Sequence, residues 1–373
     1  MGIPRFQYRP PDFSAGSLRD APDAVFAPMP ADGVLPDGFF STTNLPTYVR
    51  VQGTWRRPSA PRMDCVVMLD AAGNLSAQEP RRLAKGTWVA VGEAEDGSLG
   101  IYVHTEGFLG GGASANEFRF MASAVSRERP VDYQYLAQQL VEERKRGGYI
   151  VWVAGPALVH SRARSDMTWF VERGYVSAFL GGNAIAVHDL EAAIFGTTLG
   201  MTAEGESTEH GHGLHMRAIN AVRRAGSIEA SVRSGLITNG IMHALVQRGI
   251  PYVLAGSIRD DGPIPSVITD VLAAQDAMRQ HTMRATFAVF VATALHAIAV
   301  GNMLPAYVDE GGDRLRPLPT ICVDQTEFVV NKLRDRGTHQ AHGVVTNAQD
   351  FMHVLRFYVE RWEQRPGLPA ARG

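Results

Sequence analysis

Cysteine is scarce in this chain. Only Cys65 and Cys322 occur among its 373 residues, and each lies inside an apolar run. Two cysteines in such surroundings argue against a disulfide-stabilised secreted scaffold. They predict two buried free thiols in a reducing compartment. We therefore expect a cytoplasmic protein.

Long apolar runs and an excess of charge are missing as well. The longest apolar stretch, 285–300, contains His296 and two threonines, and it falls short of the roughly 20 residues that span a bilayer. Residues 1–36 lack the basic start and apolar core of a signal peptide. A net charge of -2 gives no reason to expect nucleic acid or an anionic membrane as a partner. A small-molecule ligand is the better expectation, and 285–300 is predicted to be a buried strand running into a helix.

The rhythm of apolar runs and turns divides the chain. From residue 38 to about 121, short strand-like runs alternate with turns, which predicts a β-rich domain. From residue 149 onwards strand, loop and helix alternate, which predicts a mostly parallel sheet flanked by helices. The predicted division is an N-terminal extension (1–36), a β-rich domain (37–128), an α/β dinucleotide-binding domain (129–363) and a disordered tail (364–373).

Several predicted strands end in glycine-rich or polar turns. The turns are Gly155-Pro156-Ala157, Gly181-Gly182-Asn183, Gly256-Ser257-Ile258 and Gly301-Asn302-Met303. Glycine lets a backbone approach a pyrophosphate, and the next helix N-terminus offers N–H groups to the anion. None matches G-x-G-x-x-G, so each alone is weak evidence. At one edge of a parallel sheet they together predict a nucleotide crevice; structural turns, with the asparagines as helix caps, are the alternative.

The segment 251–263 carries the most charge at a strand end. A short apolar run stops at Gly256 and is followed by Arg259, Asp260 and Asp261. Loops after parallel strands are where open α/β sheets bind ligands. The alternative is a solvated turn, for which Asp, Gly and Pro are ordinary residues.

Three other groups contain residue types that can carry chemistry. The histidines His210, His212 and His215 suggest zinc, but no Cys or carboxylate partner stands at a recognised spacing, so we expect no metal and a substrate-facing or pH-sensitive loop instead. His188 and Glu191 are spaced to lie on one helix face. After the last strong strand come Asp324, predicted to contact the cofactor, and Lys332, a candidate acid or base or a solvated helix charge.

At these residues the chain resembles a known family. The segment 38–47, with Val49-Arg50 and Met63-Asp64, is similar to the conserved region named after lysine-oxoglutarate reductase/saccharopine dehydrogenase (LOR/SDH). The segments 155–160, 182–184 with His188-Asp189, 217–220, 224–228 and 256–263 resemble archaeal-type ornithine cyclodeaminase. The same module forms the C-terminal part of cyanobacterial arginine dihydrolase/ornithine cyclodeaminase proteins. The resemblance runs from about residue 38 to 354; the first 36 residues match no motif, and the histidine loop departs from the family pattern.

The resemblance implies a β-rich domain joined to a Rossmann-like domain, and NAD-dependent conversion of L-ornithine to L-proline and ammonia. For this reaction our hypothesis is proton transfer by Asp261 and Lys332, with Asp260 as partner of the substrate ammonium and Arg259 pairing with a cofactor phosphate or substrate carboxylate. Substrate contacts are expected from Asn44, Arg50, Arg119 and His188, since ligands often bind between domains. A homo-oligomer is expected. Turnover of another amino acid such as lysine, or a non-catalytic NAD sensor, remains open, as does NAD against NADP.

Overall fold

The computed structural model describes residues 8–108, 131–202, 205–209, 211–260, 262–311, 314–326 and 340–364. These residues form two compact units. The first takes its described residues from 8–108, 302–311, 314–318 and 340, and the second takes the other described residues. Residues 302–318 thus belong to the first unit although they follow much of the second in sequence.

The first unit is built from antiparallel sheets. A four-stranded sheet has the order β1-β6-β4-β5, a three-stranded sheet has the order β3-β2-β7, and β13 and β14 form a separate pair. The strands are β1 (Val25–Pro28), β2 (Thr47–Val51), β3 (Thr54–Arg56), β4 (Val66–Leu69), β5 (Leu75–Gln78), β6 (Trp88–Val91), β7 (Ile101–Val103), β13 (Val308–Asp309) and β14 (Leu315–Arg316). Val49, Val67, Ala90 and Ile101 are fully buried and pack together between these strands. The β-rich character predicted for this region is confirmed.

The segment before residue 37 contributes to the same unit. Strand β1 pairs with β6 along its whole length, from Val25 opposite Val91 to Pro28 opposite Trp88. A short helix, α1 (Gly16–Arg19), precedes it. The backbone of Ala24 donates a hydrogen bond to the carbonyl of Arg50, 2.8 Å away. These contacts make the extension a structural part of the β-rich unit.

The second unit has a seven-stranded sheet in the order β11-β10-β9-β8-β12-β15-β16. The pairings described from β11 to β15 are all parallel. The strands are β8 (Ile150–Ala154), β9 (Ala178–Gly182), β10 (Tyr252–Ala255), β11 (Val267–Ile268), β12 (Phe287–Val291), β15 (Pro319–Asp324) and β16 (Gln340–Val345). The predicted parallel sheet is therefore confirmed.

Helices cover this sheet and form its core with it. They are α2 (Tyr133–Lys145), α3 (Ala157–His160), α4 (Arg164–Glu172), α5 (Asn183–Phe195), α6 (Leu214–Ala225), α7 (Ile228–Arg233), α8 (Ile241–Gln247), α9 (Val271–Thr282), α10 (Ala294–Met303) and α11 (Ala348–Glu363). Several begin at a capping side chain, as at Asp132, Ser227 and Asp270, which satisfies N–H groups that helix geometry leaves without partners. Trp152, Phe170, Phe179 and Phe287 are among the fully buried side chains of the core.

The strand order reverses next to β8. Successive strands are added on one side from β8 to β11, and the chain then returns to the other side of β8 to form β12, β15 and β16. A reversal of this kind opens a crevice at the carboxyl ends of the two strands that flank it, which is where doubly wound sheets bind ligands. The strand order therefore predicts a ligand position at the carboxyl ends of β8 and β12.

Candidate functional site

The carboxyl edge of the parallel sheet gathers most of the predicted site residues of the second unit. The structure places Gly155, Pro156 and Ala157 after β8, Gly181, Gly182 and Asn183 at the junction of β9 and α5, Gly256, Ser257, Ile258, Arg259 and Asp260 after β10, and Asp324 at the end of β15. Because these strands are parallel, their carboxyl ends share one edge. The expectation that these turns lie at the same end of one sheet is confirmed.

At the strand reversal, the backbone after β8 lies in close contact with the backbone after β12. A methyl group placed on Gly155 would lie 2.0 Å from the carbonyl oxygen of Ala292, and the N–H of Gly155 donates to the carbonyl of Val291 at 3.0 Å. Ala292 has φ of 55°, a left-handed conformation that is uncommon for residues other than glycine. The chain thus leaves β12 through a strained residue, of a kind often found at functional sites.

The other strand-end glycines also meet protein neighbours. An added methyl group would lie 2.9 Å from Cγ2 of Ile185 at Gly181 and 2.8 Å from Cε1 of His296 at Gly182. At Gly256 the nearest atom would be the carbonyl oxygen of Ile268, at 3.3 Å. Packing within the protein therefore accounts for glycine at the first two positions, and the approach of a pyrophosphate stays a prediction.

Asp260 is held at this edge by its own loop and by helix α5. Its Oδ2 accepts a hydrogen bond from the backbone N–H of Ser257 at 2.7 Å. Its Oδ1 lies 3.4 Å from Nδ2 of Asn183, whose Oδ1 accepts from the N–H of Ile264 at 3.2 Å. The side chain of Asn183 therefore connects the start of α5 with the loop after β10. Ile258 and Arg259 are exposed.

His296 joins this group and was not among the predicted site residues. It lies in the first turn of α10, three residues beyond Thr293, and Oγ1 of Thr293 is 3.4 Å from its Nδ1. Burial lowers the pKa of His296, and the nearby charge of Asp260 opposes that shift. The sequence signal is its position soon after a buried strand, inside the apolar stretch 285–300, where it reads as a core residue.

A second polar network lies further along α5. As predicted, His188 and Glu191 lie on one helix face, with Nδ1 of His188 3.4 Å from Oε2 of Glu191. The rings of His160 and His188 meet edge to face with centroids 4.3 Å apart, and His160 also hydrogen-bonds Thr198. Burial, followed by the charge of His188, lowers the pKa of His160 to about 4. These side chains connect α3, α5 and the loop after α5.

Other predicted residues have partners of their own. The guanidinium of Arg50 pairs with Asp23, Nη1 to Oδ1 at 3.1 Å. Asn44 lies in the loop before β2. Asp324 accepts hydrogen bonds at Oδ1 from both the backbone N–H and the hydroxyl of Thr326, each at 2.9 Å.

One predicted turn is wrong in its secondary structure. Gly301, Asn302 and Met303 form the last turn of α10 and not a loop at a strand end. Strand β12 stops instead at Val291, Ala292 and Thr293 connect it to the helix, and α10 begins at Ala294. Oδ1 of Asn302 is buried and has no hydrogen-bond partner among the described residues.

Some candidates lie outside the described residues. They are Arg119, His210, Asp261, Lys332 and the tail from 365 onwards. His212 stands on a short 3-10 turn and His215 in the first turn of α6. Within the part of the chain that the structure describes, no three His, Cys, Asp or Glu side chains cluster as a metal site would require, and no helix there has the length and apolar character of a membrane span.

The chain matches two family models that together cover most of its length. Residues 46–134 match the first region of the C-terminal part of arginine dihydrolase ArgZ-like proteins. Residues 134–355 match the Rossmann-fold region of the same C-terminal part. The second match assigns a Rossmann fold to the unit that contains the parallel sheet.

Individual relatives agree with both matches. The chain is 43% identical over 332 residues to ornithine cyclodeaminase of Methanopyrus kandleri, covering 88% of this chain and 76% of that protein. It is 39% identical over 343 residues to the bifunctional arginine dihydrolase/ornithine cyclodeaminase AgrE of a Nostoc species, covering 90% of this chain and 47% of AgrE. The match therefore takes in about half of the bifunctional protein.

Solved structures give the same result. A LOR/SDH protein of Methanococcus maripaludis superposes with a TM-score of 0.82 at 40% identity, covering 92% of this chain and 99% of that one. AgrE in ternary complex with ornithine and NAD+ gives a TM-score of 0.56 at 34% identity, covering 92% of this chain and 47% of AgrE. With identities near 40% over about nine-tenths of its length, the chain belongs to the ornithine cyclodeaminase family of enzymes, whose module also forms the C-terminal part of ArgZ and AgrE.

Proposed function

We propose that the protein is an NAD-dependent ornithine cyclodeaminase that converts L-ornithine to L-proline and ammonia. The observation that carries this proposal is the similarity to proteins named ornithine cyclodeaminase along both regions of the chain. The related AgrE has been crystallised with ornithine and NAD+. The proposal extends the substrate and cofactor of those relatives to this chain.

Two separate features, the start of α5 and the side chain of Asn302 near the end of α10, each fit part of a dinucleotide. Helix α5 begins at the carboxyl edge without a side-chain cap, so its first N–H groups suit a phosphate. The buried Oδ1 of Asn302 has no partner among the described residues and suits an N–H donor such as a carboxamide. When bound, NAD takes a hydride from Cα of the amino acid and returns it to the cyclic imine that forms once the δ-amine has displaced ammonia.

The protein side chains bind and orient the substrate and move its protons in this proposal. Asp260 holds a substrate ammonium group, for which its fixed carboxylate and partial burial are suited. Arg259 pairs with a cofactor phosphate or the substrate carboxylate. Asp261 and Lys332 stay proposed proton-transfer groups, and Asn44, Arg50, Arg119 and His188 stay proposed substrate contacts.

Incubation of the purified protein with L-ornithine and NAD+ tests the proposal. We expect proline and ammonia in equal amounts with no net NADH at 340 nm, because the hydride returns within one cycle. L-lysine and NADP+ in parallel incubations identify the preferred amino acid and cofactor. Turnover of lysine without ornithine would reject the substrate assignment, and NAD+ binding without any turnover would favour a sensor.

Cofactor binding has an independent measurement. NAD+ at about 100 times its Kd should raise the free energy of unfolding by about 2.7 kcal/mol, seen as a higher Tm.

We further propose a cytoplasmic homo-oligomer, which light scattering coupled to size-exclusion chromatography would check. Both cysteines are free and buried, as predicted, and burial, with a smaller effect of Asp324, raises the pKa of Cys322 to about 12, as suits an inert core thiol.

A further inference from the structure

His296 occupies the point where three strand ends of the second unit meet. It follows β12 by five residues and lies in the first turn of α10. Its ring reaches the end of β9, because a methyl group on Gly182 would lie 2.8 Å from Cε1 and 3.4 Å from Nε2. The same methyl group would be 3.4 Å from the carbonyl oxygen of Ala255, the last residue of β10. The imidazole is therefore at the carboxyl edge, beside the strand reversal.

The two ring nitrogens have different surroundings. Nδ1 lies 3.4 Å from the hydroxyl of Thr293, and Thr293 is itself buried. Nε2 makes no hydrogen bond to any residue within the described ranges. A histidine that is oriented through one nitrogen and open at the other is arranged for proton exchange with a ligand.

Asp260 is the charged group that acts on His296 among the residues described. Its carboxylate is fixed by the N–H of Ser257 and by Asn183. The ring is partly buried, and burial lowers its pKa while the charge of Asp260 acts in the opposite direction. The imidazole is thus mainly neutral at pH 7, and a carboxylate is already in place to stabilise the imidazolium once it forms.

We propose that Nε2 of His296 accepts a proton from the α-ammonium group of the amino-acid substrate. This inference rests on the proposed function. The N–H bond of the ammonium breaks, its electron pair stays on the nitrogen, and a new N–H bond forms on the imidazole. The neutral amine is the form from which a nicotinamide dinucleotide can remove the Cα hydrogen as hydride. The imidazolium later returns the proton to the departing amine, so that ammonia leaves and the histidine is neutral again.

Two substitutions and a matched control test this role. His296→Gln keeps a polar side chain but cannot take up a proton, and His296→Ala leaves space for free imidazole. His281→Gln is the control, because His281 is also partly buried with a lowered pKa, but it contacts Tyr149 at the amino end of β8. For each protein, kcat/KM for ornithine between pH 5 and 9, the Kd for NAD+ and the Tm are measured.

We expect His296→Gln to lower kcat/KM by about 100- to 1000-fold, the usual range for loss of an acid-base group, and to remove the limb of the pH profile that depends on a neutral imidazole. The Kd for NAD+ should change by less than about threefold, imidazole should restore part of the activity of His296→Ala, and the control should match the wild type.

Several results would overturn the inference. One is a His296→Gln enzyme with wild-type kcat/KM and pH profile. Another is a loss of NAD+ affinity as large as the loss of turnover, which would make His296 a cofactor-positioning residue. A third is no rescue of folded His296→Ala by imidazole. These differ from failure of the proposed function, in which the wild type itself forms no proline from ornithine.

Discussion

Helix α5 borders two groups of polar side chains that differ in how completely they are paired. Asp189 and Glu191, within the helix, are both fully buried. The carboxylate of Glu191 accepts from Thr197 Oγ1 at 3.1 Å and from the N–H groups of Leu199 and Gly200 at 3.1 and 2.8 Å, and it lies beside His188. Asp189 accepts from Nε of Arg164 at 2.6 Å and from the N–H groups at the start of α8.

At the carboxyl edge the pairing is incomplete. Asp260 has one short hydrogen bond, to Ser257, and a long one to Asn183. Nε2 of His296 has no partner among the described residues. Burying a charge without partners is costly, so a buried carboxylate with many donors stabilises the fold, whereas a partly paired one suits a ligand that completes the set. This difference supports a structural role for Asp189 and Glu191, and it agrees with the ligand role proposed for Asp260 and His296.

The sharpest test of this contrast is Asp260→Ala. Loss of a charge that pairs with a substrate ammonium should cost about 3 kcal/mol, roughly a 100-fold loss in kcat/KM. The free energy of unfolding should fall by less than about 1 kcal/mol, because only one short hydrogen bond is removed. Steady-state kinetics and urea unfolding measure the two quantities. A large loss of stability with full activity would place Asp260 with Asp189.

Asp189→Ala should show the opposite pattern. The substitution leaves Arg164, which is largely buried, and two N–H groups of α8 without their acceptor. We expect the free energy of unfolding to fall by about 3 kcal/mol. The control is Glu360→Ala, which breaks the more exposed pair of Arg356 and Glu360 and should cost less than about 1 kcal/mol. An Asp189→Ala protein of normal stability but no turnover would contradict the structural role.

The sequence predicts most of the carboxyl edge, which is one of the two regions compared above. Apolar runs that stop at glycines predict the parallel sheet and bring Gly155, Gly182 and Asp260 to one edge, because both the strand pattern and the turn signal are local. The bend at Ala292 carries no such signal, since the residue with positive φ is not a glycine. The helix that follows it therefore had no predicted start.

His296 was missed for a related reason. Inside 285–300 it reads as a core histidine, and only the pairing of β12 beside β8 brings it next to Gly182 and Asp260. The same missing signal moved the predicted turn to Gly301-Asn302-Met303, which is the end of α10. The donors to Glu191 come from a loop six to nine residues further along the chain. From the sequence only His188 is predicted as a neighbour of Glu191, because the helical period relates residues three or four positions apart and says nothing about a more distant loop.

Gly182→Ala tests whether the position of His296 matters, without removing the histidine. The new methyl group would be 2.8 Å from Cε1, so the ring must shift. We expect kcat/KM to fall by about 10-fold, since small misplacements of reacting groups are costly, and the free energy of unfolding to fall by about 1 kcal/mol. Gly213→Ala is the control, because no atom lies within 4 Å of its added methyl group. If Gly182→Ala and Gly213→Ala have equal kcat/KM, the position of the His296 ring does not matter for catalysis.

The smallest expected effect is a pH dependence of the free energy of unfolding that arises from His160, in the network of His160, His188 and Glu191. The pKa of folded His160 is lowered to about 4 by burial and by His188, against the opposing charge of Glu191. An unfolded histidine takes up its proton near pH 6.5, so the unfolded state binds more protons between pH 6.5 and 4. The contribution of His160 to the free energy of unfolding is therefore fully present above pH 6.5, and it is lost as the pH falls towards 4.

Comparison with a variant isolates the contribution of His160 from those of His281 and His296, whose pKa values are also lowered. In His160→Gln the decline in the free energy of unfolding between pH 6.5 and 4.5, measured by urea titration, should be shallower than in the wild type. His353→Gln, at a side chain that is 76% exposed, should leave the wild-type slope unchanged. If His160→Gln also keeps that slope, His160 is protonated in the folded protein as readily as in the unfolded chain, and its network with His188 and Glu191 does not hold the ring neutral.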